Sequence, residues 1–122
     1  MKLVFVLVMF LAATSIAADG SVSTKGLASW YGEAHRGKIM ADGRKFDPDK
    51  LTAASWFYPL GSRVRVTSAN SRRNIIVRIT DRGPAKRLVR EGRIIDLARA
   101  AFEKLAPPNT GLVSVTVRPV ND

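Results

Sequence analysis

Asp81 closes the run Ile75-Ile76-Val77-Arg78-Ile79-Thr80 and is followed by Arg82-Gly83-Pro84. Alternate residues of an extended strand share a face, so Ile75, Val77, Ile79 and Asp81 fall on one side and Ile76, Arg78 and Thr80 on the other. A carboxyl that continues an apolar row is partly desolvated. That disfavours its charged form, raises its pKa and suits it to general-acid work near neutral pH. An Arg82 guanidinium within reach would pull the same pKa down. Asp81 also reads as a turn residue, because Asp ahead of Gly-Pro is ordinary turn chemistry. Gly83 and Pro84 are structural in either reading.

A glycosidase built on paired carboxylates needs a second acid. Asp81 can be matched with Glu33, Asp42 or Asp96, and the sequence does not place them in space. Asp42 begins an Asp-Gly turn, and Asp96 has the position of a helix cap, a structural role. Other constellations find little support. There is no cysteine, and the single histidine, His35, sits in a polar loop with no serine marked as its partner. One histidine with scattered carboxylates lacks metal-ligand spacing, and no glycine-rich phosphate loop is present. No metal and no cofactor are expected.

The elements around these residues are mostly strands and turns. Leu27–Tyr31 is a short aromatic strand, and Leu51–Ala54 a brief apolar run. Arg63-Val64-Arg65-Val66-Thr67 alternates basic and apolar residues, a half-buried strand with Val64 and Val66 inward. With 75–80 it predicts a hairpin over 63–80. Leu112–Val117 is a last strand. One helix is predicted after Asp96, which would cap it, with Leu97, Ala100, Ala101 and Leu105 on one face and Pro107-Pro108 ending it. Glu33–Lys50 is polar and irregular, with turns at Arg36-Gly37 and Asp42-Gly43.

The chain has 122 residues, enough for one domain. Residues 1–18 have the layout of a secretory signal: Lys2, the apolar run Leu3–Ala13, then Ser15-Ile16-Ala17-Ala18. That apolar run is too short for a bilayer, which takes about 20 residues. Residues 19–25 read as a polar linker, and 26–120 as the folded domain. No lipid-anchoring cysteine and no later transmembrane segment are present, so a soluble exported monomer is expected, in the periplasm or the extracellular wall. The net charge is +10, and losing Lys2 with the signal leaves +9. Such an excess attracts polyanions. Export and the absence of any zinc-finger or RNA-binding signature argue against nucleic acid. They leave wall polymers, anionic polysaccharide and lipid head groups.

Five stretches then occur in order: Gly26-Leu27-Ala28-Ser29-Trp30-Tyr31-Gly32, Leu51-Thr52-Ala53-Ala54, Pro59–Thr67, Val77–Pro84 with its Asp81-Arg82-Gly83-Pro84, and Gly92–Ala98. Together they resemble the double-psi β-barrel domain of the rare lipoprotein A family of septal-ring proteins, over about residues 26–118. The resemblance implies a mainly β fold: a six-stranded double-psi barrel, related to the first domain of expansins, with one or two short helices. It implies a lytic transglycosylase acting on peptidoglycan glycan strands, preferring those stripped of stem peptides and leaving 1,6-anhydro-muramic ends, with Asp81 as acid/base. Trp30, Tyr31, Arg44, Ser55 and Arg82 would then meet substrate; in a module that only binds glycan, Trp56 and Tyr58 would add aromatic surface. Two positions depart from the family pattern. Arg44 replaces its glutamate in Met40-Ala41-Asp42-Gly43-Arg44, and Ser55 replaces the histidine after Leu-Thr-Ala-Ala. Arg44 near Asp81 would depress its pKa. The alternative is a non-catalytic, expansin-like binding module. A third reading is a secreted effector or inhibitor acting on a foreign polymer.

Overall fold

The computed structural model describes residues 13–16 and 22–121. It contains strands β1 (Ala13–Ile16), β2 (Val22–Tyr31), β3 (Thr52–Ala54), β4 (Arg63–Ser68), β5 (Asn74–Asp81), β6 (Arg93–Ala98) and β7 (Val113–Pro119), and short helices α1 (Lys86–Arg90) and α2 (Arg99–Glu103). Hydrogen bonding runs β2-β6-β3-β5-β4-β7, and β7 returns to β2, closing a six-stranded barrel; β1 is added outside, antiparallel to β2. The β2–β6 and β3–β5 pairs are parallel and the rest antiparallel. This is the closed, mainly β architecture that the resemblance implies.

Alternation fills the barrel. Val64 and Val66 of β4, Val77 and Ile79 of β5 and Val115 and Val117 of β7 are buried, while Arg65, Arg78 and Arg118 between them face out. Phe102 of α2 is buried against this core beside Trp30. A second, small apolar cluster of Met40, Phe46 and Ala98, with Tyr31 packed on it, holds the irregular 33–50 segment against the outside of the barrel.

Two expectations change. The stretch 22–25 is strand rather than linker. Thr24–Ala28 lies opposite Val117–Val113, and the buried Thr24 hydroxyl meets Tyr58 Oη at 3.0 Å. Closing the barrel supplies partners that the polar local sequence does not advertise. The helix begins at Arg99, capped by no side chain, so Asp96 is not its cap. Asp96 lies inside β6, paired on both sides, to Ser29 and to Ala54. Leu97 fits a strand row and a helix face equally well, and pairing on both edges decides for the strand. The export signal expected over 1–18 falls mostly outside the described residues; Ala13–Ile16, within it, form β1. Among the described residues no helix is long and apolar enough to cross a membrane.

Candidate active site

Ser29, Asp96, Ala54 and Asp81 form one row across β2, β6, β3 and β5. Residues directly opposite in a sheet project to the same face. Ala53 is fully buried in the barrel, so the row containing Ala54 points the other way. Asp81 reaches it through an irregularity. The β3–β5 register slips between Ala53 and Ala54, so Ile79 lies opposite Ala53, and Asp81 rather than Thr80 lies opposite Ala54. Strict alternation, which would leave Asp81 in the inward row of Ile79, does not hold there. The backbones of Asp81 and Asp96 are thus two strand spacings apart, roughly 10 Å. Between them stands a side chain no larger than a methyl.

The two carboxyls have different surroundings. Asp81 Oδ1 accepts from two backbone N–H groups, Ala41 at 2.9 Å and Arg82 at 2.8 Å. Asp96 accepts from the Ser29 hydroxyl. Its pKa is raised: burial outweighs the opposing pull of the Ser29 hydrogen bond and of Arg93 and His35 nearby. Gly83 packs over this acid. A methyl in place of its hydrogen would lie 3.4 Å from Ala54 Cβ and 3.6 Å from Asp96 Oδ2. The Gly83–Pro84 peptide is cis.

Tyr31 is two residues beyond Ser29, on the same face of β2. Its ring stacks on Phe46 at 4.2 Å and meets His35 edge-on at 5.7 Å. Its hydroxyl is buried and has no hydrogen-bond partner among the described residues. Burial first, then the negative fields of Asp81, Asp96 and Asp42, push its pKa well above the usual tyrosine value, so it stays a proton donor. A buried hydroxyl without a partner costs about 1–3 kcal/mol. Here it lies among three carboxylates.

The covering segment is fixed from outside. Arg36 donates to Glu33 Oε2 and Oε1, both at 2.8 Å, and to Asp49 Oδ2 at 2.9 Å; Arg99 of α2 donates to Asp49 Oδ1 at 2.8 Å and Glu33 Oε1 at 3.2 Å. These arginines hold the Glu33 carboxyl down at about 2. Glu33 is therefore an exposed ionic tie and does not join the aspartate row.

Other expected site residues are placed differently. Ser55 is buried, donating to Ile94 O at 3.2 Å and accepting from Phe57 N–H at 3.1 Å, so it offers nothing to a ligand. Arg82 turns back on the chain, donating through Nη1 to Ser55 O at 2.8 Å and Tyr58 O at 2.7 Å. Tyr58 is buried, its hydroxyl 2.9 Å from Val117 O. Trp30 donates to Pro108 O at 2.8 Å and packs on Phe102, while Trp56 is half exposed with Lys86 Nζ 5.1 Å above its ring. Among the described residues Arg44 makes no ion pair with Asp81; its N–H closes a turn on Asp42 Oδ1 at 2.9 Å. Asp42 and Arg44 line a cavity of about 500 Å³ with Leu60, Gly61 and Arg78. A cavity of about 540 Å³ between β1, β2 and β7 holds no carboxyl group.

Ser29, and the place of Asp96 in the row rather than at a helix cap, are what the sequence reading missed. A signal existed for Asp96: a lone carboxyl ending Ile94-Ile95 repeats the pattern that marks Asp81.

A family model described as lytic transglycolase matches residues 23–117. The chain belongs to this family. It is 48% identical over 90 residues to the endolytic peptidoglycan transglycosylase RlpA of Yersinia pestis, covering 74% of this chain and 24% of that protein. The RlpA of Pseudomonas aeruginosa is 41% identical over 96 residues, covering 79% of this chain and 27% of that one. This RlpA-type domain thus spans about a quarter of the length of these relatives. Among solved structures, a Streptomyces papain inhibitor superposes with TM-score 0.63 at 28% identity, over 81% of this chain and 94% of that one. A Clavibacter michiganensis expansin superposes with TM-score 0.62 at 22% identity, over 82% of this chain and 51% of that one, a likeness of fold. The double-psi β-barrel expected from the five motifs is the fold of this domain.

Proposed function

We propose that this exported RlpA-type domain cleaves peptidoglycan glycan strands as an endolytic lytic transglycosylase, favouring strands that lack stem peptides, with the Asp81–Ala54–Asp96 row as its catalytic floor. The carrying observation is the pair of carboxyls in unlike environments on one face. Pairs whose surroundings drive them apart divide acid and base roles.

Asp96, whose pKa burial raises, gives its proton to the glycosidic oxygen between N-acetylmuramic acid and N-acetylglucosamine. That C–O bond breaks and leaves positive charge on the muramic anomeric carbon. Asp81 carries the countercharge and takes the proton of the muramic 6-hydroxyl as that oxygen closes on the anomeric carbon. The products are a 1,6-anhydro end and a free 4-hydroxyl, and no water is consumed. Exchange with solvent restores both carboxyls. Tyr31 Oη supplies a hydrogen bond to sugar oxygens over the row.

The test is digestion of purified peptide-free glycan with mass spectrometry for 1,6-anhydro ends. Wild type is expected to release them, and Asp96→Asn and Asp81→Asn to lose about 10²–10⁴-fold. Release by both variants at the wild-type rate would remove the assignment. A second reading has support from Arg44, an exposed cation where the family pattern has an acid: an expansin-like module that binds glycan without cutting it. Binding to sacculi with no anhydro ends from wild type would select it.

A further inference from the structure

The stretches 50–80 and 104–121 contain no Asp or Glu, and they supply the whole of β4 and β7 and all of β5 except Asp81. Arginines stand at outward positions of this wall, beside Thr67, Ile76, Ser114 and Thr116. Register sets Arg63 opposite Arg78 and Arg65 opposite Arg118, with Arg72 and Arg73 at the hairpin end. Like charges directly opposite one another disfavour the sheet, so the Arg65–Arg118 pair is a feature that stability alone does not explain. Strand geometry spaces these positions roughly 5 Å across and 7 Å along the wall. Among the described residues, Arg65, Arg72, Arg73, Arg78 and Arg118 make no ion pair; the ionic clusters join Arg36 and Arg99 to Glu33, Asp47, Asp49 and Glu103. Arg65 is steadied by Asn74 Oδ1, and Arg78 by Gly61 O at 2.8 Å.

Arg78 also lines the cavity that holds Asp42, Arg44 and Leu60, so the wall is continuous with that cavity. We infer that Arg44, Arg78, Arg65 and Arg118 form a track that holds a carboxylate-bearing polysaccharide strand along the barrel as it leaves that cavity. Three observations choose this occupant. Guanidinium groups pair with carboxylates as planar forks, so a row of them suits a chain with repeated carboxylates. The track runs from that cavity across β5, β4 and β7, as a linear polymer would lie. Of the exposed large apolar side chains, Ile39, Leu51, Trp56, Phe57, Leu60 and Leu112 among others, none is on β4, β5 or β7, although Leu60 lines the cavity at the end of the track. A membrane-lying surface mixes such residues with its cations.

The identity of the polymer as peptidoglycan rests on the proposed function; the carboxylate track does not. The experiment is co-sedimentation with sacculi at low salt, done in Asp96→Asn protein so that digestion does not enter. Arg65→Gln/Arg118→Gln is compared with Arg65→Lys/Arg118→Lys, on native sacculi, on sacculi with amidated carboxyls, and on phosphatidylglycerol vesicles. Exposed charge pairs contribute modestly each, so the glutamine pair is expected to weaken binding roughly fivefold to tenfold, with a shallower salt dependence. The lysine pair is expected to keep most of the binding, and amidation to erase the difference. The glutamine variant should melt no lower than its parent, since it relieves a like-charge pair. Equal binding by the glutamine variant overturns the track. So does a difference undiminished by amidation, or tighter arginine-dependent binding to the vesicles. Absence of anhydro ends from wild type bears only on the proposed function.

Discussion

Asp81 and Asp96 share one neighbour: Ala54 pairs with Asp81 on β5 and with Asp96 on β6. The two acids flank a methyl group on the outer face of the barrel. One is held by backbone N–H groups, and the other is buried against Gly83. Most expectations for this protein as a catalyst follow from that arrangement.

The burial that raises Asp96 has a stability consequence. The folded-state pKa lies above the ordinary 3.8, so the folded state holds its proton longer than the unfolded chain. Stability is lost as pH rises from near 3.8 through the folded value. Asp96→Asn should therefore melt higher than wild type at pH 7 and alike at pH 3, while losing activity. Thermal melts across that range check the sign; a lower melting point at pH 7 would count against the burial argument.

Ser29 donates to the charged form of Asp96 and so opposes the burial effect. Ser29→Ala should raise the Asp96 pKa further. The alkaline limb of the kcat/KM profile, which marks loss of the acid, should then move to higher pH. An unmoved or acid-shifted limb would mean that another group sets it.

Tyr31→Phe removes a buried hydroxyl that has no partner among the described residues. Stability should rise by about 1 kcal/mol, since an unsatisfied polar group is deleted. Turnover should fall by roughly tenfold if the hydroxyl meets substrate, a loss of about 1.4 kcal/mol in transition-state binding. Urea denaturation and single-turnover kinetics separate the two effects. A variant that is less stable and fully active contradicts both.

Ser55→Ala tests the opposite role. It deletes a donor to Ile94 O and strands the Phe57 N–H. A cost of about 1–2 kcal/mol is expected, with KM unchanged because the side chain meets no ligand. A raised KM at unchanged stability would return Ser55 to the binding surface.

The ionic tie on the covering segment should fail in acid. Glu33 is held at about 2, below its ordinary 4.5, so its contribution is complete above 4.5 and lost as pH falls through about 2. Hydrogen exchange at Gly37, Met40 and Phe46, whose N–H groups close this segment, should rise between those values. Arg99→Gln should raise it at neutral pH. Exchange that is flat with pH would show that the Met40–Phe46 cluster holds the segment alone.

Local chemistry in the sequence was enough to place the β4–β5 hairpin, the inward Val64 and Val66, and the candidacy of Asp81. Alternation and turn residues act over a few positions and survive in any fold built from them. The five motifs in order were enough for the barrel. Four matters depended on contacts between distant strands. A one-residue register slip against β3 moved Asp81 out of the row of Ile79 and opposite Ala54. Pairing on both edges turned Asp96 from a helix cap into a strand residue beside that row. Closure on β7 drew 22–25 into a strand. Burial assigned Ser55, Tyr58 and Arg82 to internal hydrogen bonds. Register, closure and desolvation are properties of pairs of segments far apart in the chain, so a reading of local pattern names the acids but not the one whose surroundings favour its protonated form.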